Sequence, residues 1–92
     1  MSDSFIKDPA ARLDYTWDWT DWLAEVSDTI SSATVAVPAG LTAVGAPVVD
    51  GGLVTQRVEG GDVDGAYRLV CQIITVGGLI DERKIDLTIS ER

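Results

Sequence analysis

The chain has 92 residues, with 15 Asp and Glu against 7 Lys and Arg, no histidine, and a net charge of -8. That length supports one domain, and the acidic balance argues against direct phosphate binding, which needs clustered Lys and Arg. The missing histidine removes the commonest general base and metal ligand, and no run approaches the roughly 20 apolar residues of a membrane helix.

Taken in order, residues 1–11 lack periodicity and contain Asp8-Pro9, which disfavours helix before the proline. They read as an N-terminal arm, ordered only if something holds it, ahead of a domain over residues 12–92. The polar start carries no signal-peptide core, so the expectation is synthesis in a cytoplasm. Residues 13–19 then alternate: Leu13, Tyr15, Trp17 and Trp19 share one face, with Asp14, Thr16 and Asp18 on the other. This is the pattern of a half-buried strand rich in aromatics. Residues 20–23 break the alternation and predict a turn or one helical turn capped by Thr20 or Asp21.

Residues 29–37 are rich in β-branched and small side chains and stop at Pro38-Ala39-Gly40. A short strand over 41–44 is closed by Gly45-Ala46-Pro47, and Val48 and Val49 lead into the turn Asp50-Gly51-Gly52. Residues 53–59 read as a strand, and Gly60 to Gly65 as a tight acidic loop. The last third has the clearest signal. Tyr67, Leu69, Cys71 and Ile73 alternate with polar and apolar neighbours, Gly77-Gly78 breaks the run, and Ile85, Leu87 and Ile89 resume it. Two period-2 segments joined by Gly-Gly predict a hairpin.

Six to seven antiparallel strands at this spacing predict an all-β, immunoglobulin-like β-sandwich with a short N-terminal arm. Its expected core holds Leu13, Tyr15, Trp17, Val35, Val37, Tyr67, Leu69, Cys71, Ile73, Ile85, Leu87 and Ile89. Tyr67 follows a glycine-rich corner, where such domains place a tyrosine whose hydroxyl bonds back across the turn.

Chemistry is poorly provided for. The serines lack a base partner, and Cys71 lies on the apolar face of the best strand, where a thiol packs as a small hydrophobe. The expectation is no enzyme, no cofactor and no metal. Asp62 and Asp64 with Glu59 could suit a hard cation, but the loop lacks the twelve-residue calcium pattern, and Asp and Gly are ordinary turn residues. Trp17, Trp19 and Trp22 crowd into six residues. The first two share the core parity, whereas Trp22 lies beyond the strand and is a candidate contact.

At these residues the chain resembles the fiber-tail adaptor proteins of tailed bacteriophages. The similarity runs through Lys7-Asp8-Pro9, then Leu13-Asp14-Tyr15-Thr16-Trp17-Asp18-Trp19, then Trp22-Leu23. It continues in Ile30-Ser31-Ser32, Val35 and Pro38-Ala39-Gly40-Leu41, and ends in Ile74-Thr75, Gly77-Gly78, Asp81-Glu82-Arg83 and Ile85. The resemblance implies an immunoglobulin-like building block of the virion, an adaptor or decoration subunit without enzyme activity. Its implied partners are other tail, neck or capsid proteins in a multicopy assembly, with neither nucleic acid nor membrane bound directly. Where the family commonly has a polar residue after Gly-Gly, this chain has Leu79-Ile80, which points to a contact at the hairpin tip. The candidate interface is therefore Phe5, Ile6 and Lys7 on the arm, Trp22 at the strand end, and Leu79 and Ile80 at the tip. The alternative is a stand-alone carbohydrate- or calcium-dependent adhesion module using exposed tryptophans and the acidic loop.

Overall fold

A computed structural model describes residues 2–91. Seven strands and one short helix follow in the order β1 (Ser2–Lys7), β2 (Arg12–Asp18), α1 (Thr20–Val26), β3 (Ile30–Ala36), β4 (Leu41–Asp50), β5 (Leu53–Gly60), β6 (Ala66–Thr75) and β7 (Ile80–Ile89). They build a two-sheet all-β sandwich, one sheet in the order β1-β7-β6-β3 and the other β2-β5-β4. The period-2 face of β6 and β7 supplies the floor of the core: Leu69, Cys71, Ile73, Ile85, Leu87 and Ile89 are all buried. Tyr15, Trp17 and Trp19 from β2, and Val54 and Val58 from β5, close it from the other side. Val35, Val37 and Tyr67 are partly buried against this cluster.

Four expectations change. Residues 2–7, expected as an arm, form edge strand β1, paired in parallel with β7 so that Phe5 lies opposite Leu87 and Lys7 opposite Ile89. This pairing is the one departure from antiparallel order among the described residues. No hairpin turn links β1 to β7, and a parallel partner more than seventy residues away leaves no mark on local periodicity. Leu13 belongs to the exposed residues instead of the core, because it sits near the outer end of β2, itself the edge strand of its sheet. Residues 41–50 are one strand, not two. Its register with β5 shifts between Val44 and Val48, and Gly45 takes φ 77 at that bulge. The Gln56 amide, itself buried, fills the bulge by donating to the Gly45 carbonyl at 3.1 Å.

The helix is also longer than one turn, and its cap differs from the expected Thr20 or Asp21. Trp19 is the N-cap residue, and the Asp18 carboxylate accepts the Thr20 N–H at 2.9 Å. Ser27 ends the helix at φ 51, with the Asp28 N–H returning to the Leu23 carbonyl at 3.1 Å. Leu23 is the residue α1 buries.

Tyr67 behaves as its position predicts. Its hydroxyl accepts the Asp62 N–H at 3.1 Å, closing the corner between β5 and β6. A Cβ at Gly40 or Gly65 would come within 2.8 Å of the Tyr67 ring, so both positions need glycine for the ring to seat.

Candidate interaction surfaces

The expected interface residues divide between two places. Phe5 and Ile6 lie on β1 opposite Leu87 and Thr88, whereas Ile80 begins β7 at the hairpin tip, roughly 23 Å away at ~3.3 Å per residue. Phe5 faces Tyr15 across the open side of the sandwich, ring centroids 5.4 Å apart, and stays partly solvent-exposed. Ile6 points outward and is 58% exposed.

Lys7 is a different matter. Its side chain is completely buried, and its ammonium donates to the Gly60 carbonyl at 2.7 Å and the Asp8 carbonyl at 2.9 Å. Burial lowers its pKa, while the carboxylates of Asp8 and Glu59 pull the other way. Charged groups of this kind are kept inside only when hydrogen-bonded. Lys7 therefore pins β1 to the end of β5 and offers no side-chain surface to a partner, which corrects its expected role as a contact residue.

At the other end, three segments meet: α1, the turn between β4 and β5, and the tip between β6 and β7. The tip is seated by Asp28. Its carboxylate accepts the Thr29 N–H at 2.8 Å and the Gly77 N–H at 3.2 Å from each oxygen. The Thr75 hydroxyl, then the Thr29 N–H and the Gly77 N–H, hold the Asp28 pKa below its ordinary value. The Thr75 hydroxyl oxygen in turn accepts the Leu79 N–H at 2.9 Å, and the Val76 N–H bonds to the Thr29 carbonyl at 2.9 Å. A Cβ at Gly77 would stand 2.6 Å from the Asp28 carboxylate, so only glycine lets the tip dock this closely.

The tip so bonded holds apolar side chains out in water. Val76 is 71% exposed and Ile80 62%, with Leu79 and Ile74 exposed beside them. Val48, Val49 and Leu53, around the β4–β5 turn, are exposed as well. Between the turn, the tip and α1 runs an apolar groove of about 770 Å³ whose lining includes Leu23, Ala24, Ile30, Val49 and Val76. Trp22 lies on the same helix but does not line the groove; it packs edge-on against Trp19 at 5.8 Å and is half-buried.

A second, charged notch of about 500 Å³ lies between β2 and the start of β7. Arg83 crosses it, standing 4.3 Å over the Trp19 ring and donating to the Asp18 carbonyl at 2.6 Å. The Glu82 N–H is taken by the Asp81 carboxylate at 2.9 Å. These side chains blunt a stretch of sheet edge that β1, which begins opposite Lys84, does not cover.

Sequence reasoning singled out Leu79 and Ile80, which the structure exposes, and passed over Val76, Val48, Val49 and the groove. A usable signal was present. Two adjacent apolar residues in a strand cannot both face one core, so Val48-Val49 and Ile73-Ile74 each had to expose at least one member. The tryptophans went the other way: Trp17 and Trp19 are buried, which takes away the exposed indoles that a carbohydrate site would use. Asp62 and Asp64 serve the corner through their backbones, the Asp62 carbonyl accepting the Gly65 N–H and the Asp64 N–H bonding to Ile89. Among the described residues no three His, Cys, Asp or Glu side chains converge on a common point.

The family model described as podophage GP4 fiber-tail adaptor protein gp77 matches residues 7–88. The chain belongs to this family. A search of curated proteins finds no match. The protein is thus a member of a phage structural family. The matched stretch starts at the buried Lys7 and takes in α1, the β4–β5 turn and the hairpin tip, while Phe5 and Ile6 precede it.

Proposed function

We propose that this fiber-tail adaptor family member is a non-enzymatic subunit of a tailed-phage virion that joins other tail proteins, in several copies, through the apolar end of its sandwich. The observation that carries the reading is the exposed cluster around Val76, Leu79 and Ile80, held on a tip that Asp28 fixes in place. Contiguous exposed apolar surface on a small domain marks a place where another protein binds. Preorganised geometry lowers the ordering cost of such an interface. Phe5 and Ile6 on β1 form a second contact, remote from the first, as a subunit that joins two neighbours requires. Trp22 supports the tip end from α1 through its packing on Trp19.

Binding, not reaction, is the mode of action. The single thiol, Cys71, is buried and its pKa is pushed up to about 11, mainly by desolvation. The net charge of -8 disfavours nucleic acid and anionic lipid as direct ligands. The protein is made in the host cytoplasm and ends in the particle.

Mass spectrometry of purified virions tests this reading. The protein is expected among the structural components, and Leu79→Asp with Ile80→Asp is expected to give a folded chain missing from particles. Absence of the wild-type chain from virions would sink the adaptor reading. Normal incorporation of the double variant would move the contact away from the tip.

A further inference from the structure

The apolar end of the sandwich has an unusual charge makeup. Residues 19–30, 48–53 and 74–82, which build α1, the β4–β5 turn and the hairpin tip, contain Asp21, Glu25, Asp28, Asp50, Asp81 and Glu82 and neither Lys nor Arg. The ion pairs recorded among the described residues lie elsewhere: Arg12–Glu59, Arg57–Asp14 and Arg68–Asp86. Arg83, the nearest base along the chain, is engaged with Trp19 and the Asp18 carbonyl. Beside its apolar residues the groove is lined by Thr20, Ser27, Thr29 and one carboxylate, Asp28, while Asp21, Glu25 and Asp50, all exposed, lie on the same segments outside the lining.

We infer that this groove receives a protein segment whose apolar side chains are flanked by Lys or Arg. This deepens the adaptor reading and rests on it for the partner being a neighbour in the particle. Three features favour that occupant. The volume of about 770 Å³ lies within the ~300–1,000 Å³ of pockets that bury a ligand. At Gly51, which lines the groove, the space where a Cβ would stand is open, so an incoming chain can approach the backbone there. The surplus of carboxylates on the segments that build this end steers cationic partners and repels anionic ones, which sets both encounter rate and specificity. A second copy of this chain is disfavoured, because end-to-end pairing would set the same carboxylates against each other. Nucleic acid and anionic lipid are disfavoured for the same reason of sign.

The full chain can be titrated, with amide shifts followed by NMR, using two short synthetic peptides that share one apolar sequence. One peptide carries flanking lysines, the other flanking glutamates. The lysine peptide is expected to shift the amides of Val49, Gly52 and Val76 and to bind at least about tenfold tighter than its glutamate twin. That preference should shrink as salt rises, since Asp21, Glu25 and Asp50 on these segments are exposed. Ala24→Arg, which fills the groove mouth, should abolish the shifts; if that variant unfolds, Val76→Lys at a solvent-exposed position serves instead. Equal binding of both peptides, shifts confined to other faces, or no shifts would overturn the inference. Recovery of the wild-type chain in virions is read separately, so a silent groove can be told apart from a failed adaptor reading.

Discussion

Where β5 turns into β6, the sandwich is closed by internal bonds; at the β6–β7 tip it is left open and apolar. The closed end has the Lys7 ammonium on the Gly60 carbonyl, the Tyr67 hydroxyl on the Asp62 N–H, and the Ser90 N–H on the Lys7 carbonyl. The open end has Asp28 gripping Gly77, and beyond it the exposed side chains of Val76, Leu79 and Ile80. Both ends are hydrogen-bonded, but to different effect. At the closed end polar groups satisfy one another inside the chain. At the open end one carboxylate holds a loop so that apolar side chains face outward. The ion pairs contribute little to this contrast, because exposed pairs are worth about 0–1 kcal/mol each. Lys7 matters more, since its ammonium is fully buried and its carbonyl partners replace the water it leaves.

The contrast can be broken most severely in the middle, where both ends share one core. Leu69 is fully buried, and Leu69→Ala should cost ~2–5 kcal/mol, read from the midpoint of chemical unfolding. A loss below about 1 kcal/mol would mean that the sheets do not pack as described.

Alkaline titration tests the same core by charge. Cys71 has its folded pKa raised from 9.0 to about 11, with desolvation as the main cause. A raised acid pKa means the folded state prefers the neutral thiol, so this stability is complete below pH 9 and declines as the pH rises to about 11. The full loss is about 2–3 kcal/mol. Lys7 has the opposite sign in an overlapping range. Its lowered pKa means the unfolded chain holds the proton longer, so its contribution rises as the pH climbs toward 10.5. Replacing Cys71 by alanine should flatten the alkaline decline; an unchanged pH profile would assign that decline to another group.

Next in size is a direct comparison of the two ends. Lys7→Met keeps the length of the side chain but takes the ammonium from the Gly60 carbonyl and leaves the Asp8 carbonyl with the Ala11 N–H alone, and should cost ~1–3 kcal/mol. Ile80→Asn at the open end should stay within about 0.5 kcal/mol of wild type, as exposed substitutions usually do. Equal thermal shifts for the two variants would erase the distinction between a pinned end and a presented one.

The smallest effect is local. Asp28→Asn should loosen the tip without changing global stability measurably, speeding hydrogen exchange at the Gly77 and Val76 amides. In the wild type the same loosening should come on as the pH falls through and below 3.8, because the lowered Asp28 pKa makes its grip complete only above that value. Exchange rates unaffected by either change would show that the tip is held by its strands alone.

The strands with a one-sided core were legible from residue order. Alternation in residues 13–19, 67–73 and 85–89 reflects the geometry that sends successive side chains to opposite faces, and a sheet with one buried face must write that period into its sequence. Tyr67 after a glycine corner was legible for the same local reason, and Leu79-Ile80 after Gly77-Gly78 already flagged the tip. Tertiary structure decided the rest. β1 became a strand because β7 had a free edge for it, and Lys7 went inside because the carbonyls of Gly60 and Asp8 converge there. Neither condition exists within any short window of the chain. Nor does the groove, which appears only when α1, the β4–β5 turn and the β6–β7 tip, spread over residues 20–76, arrive at one end of the sandwich. Sequence determines what each strand must hide, because that is a local alternation; only the packed sheets decide which leftover apolar residues lie side by side, because that depends on distances between segments far apart in the chain.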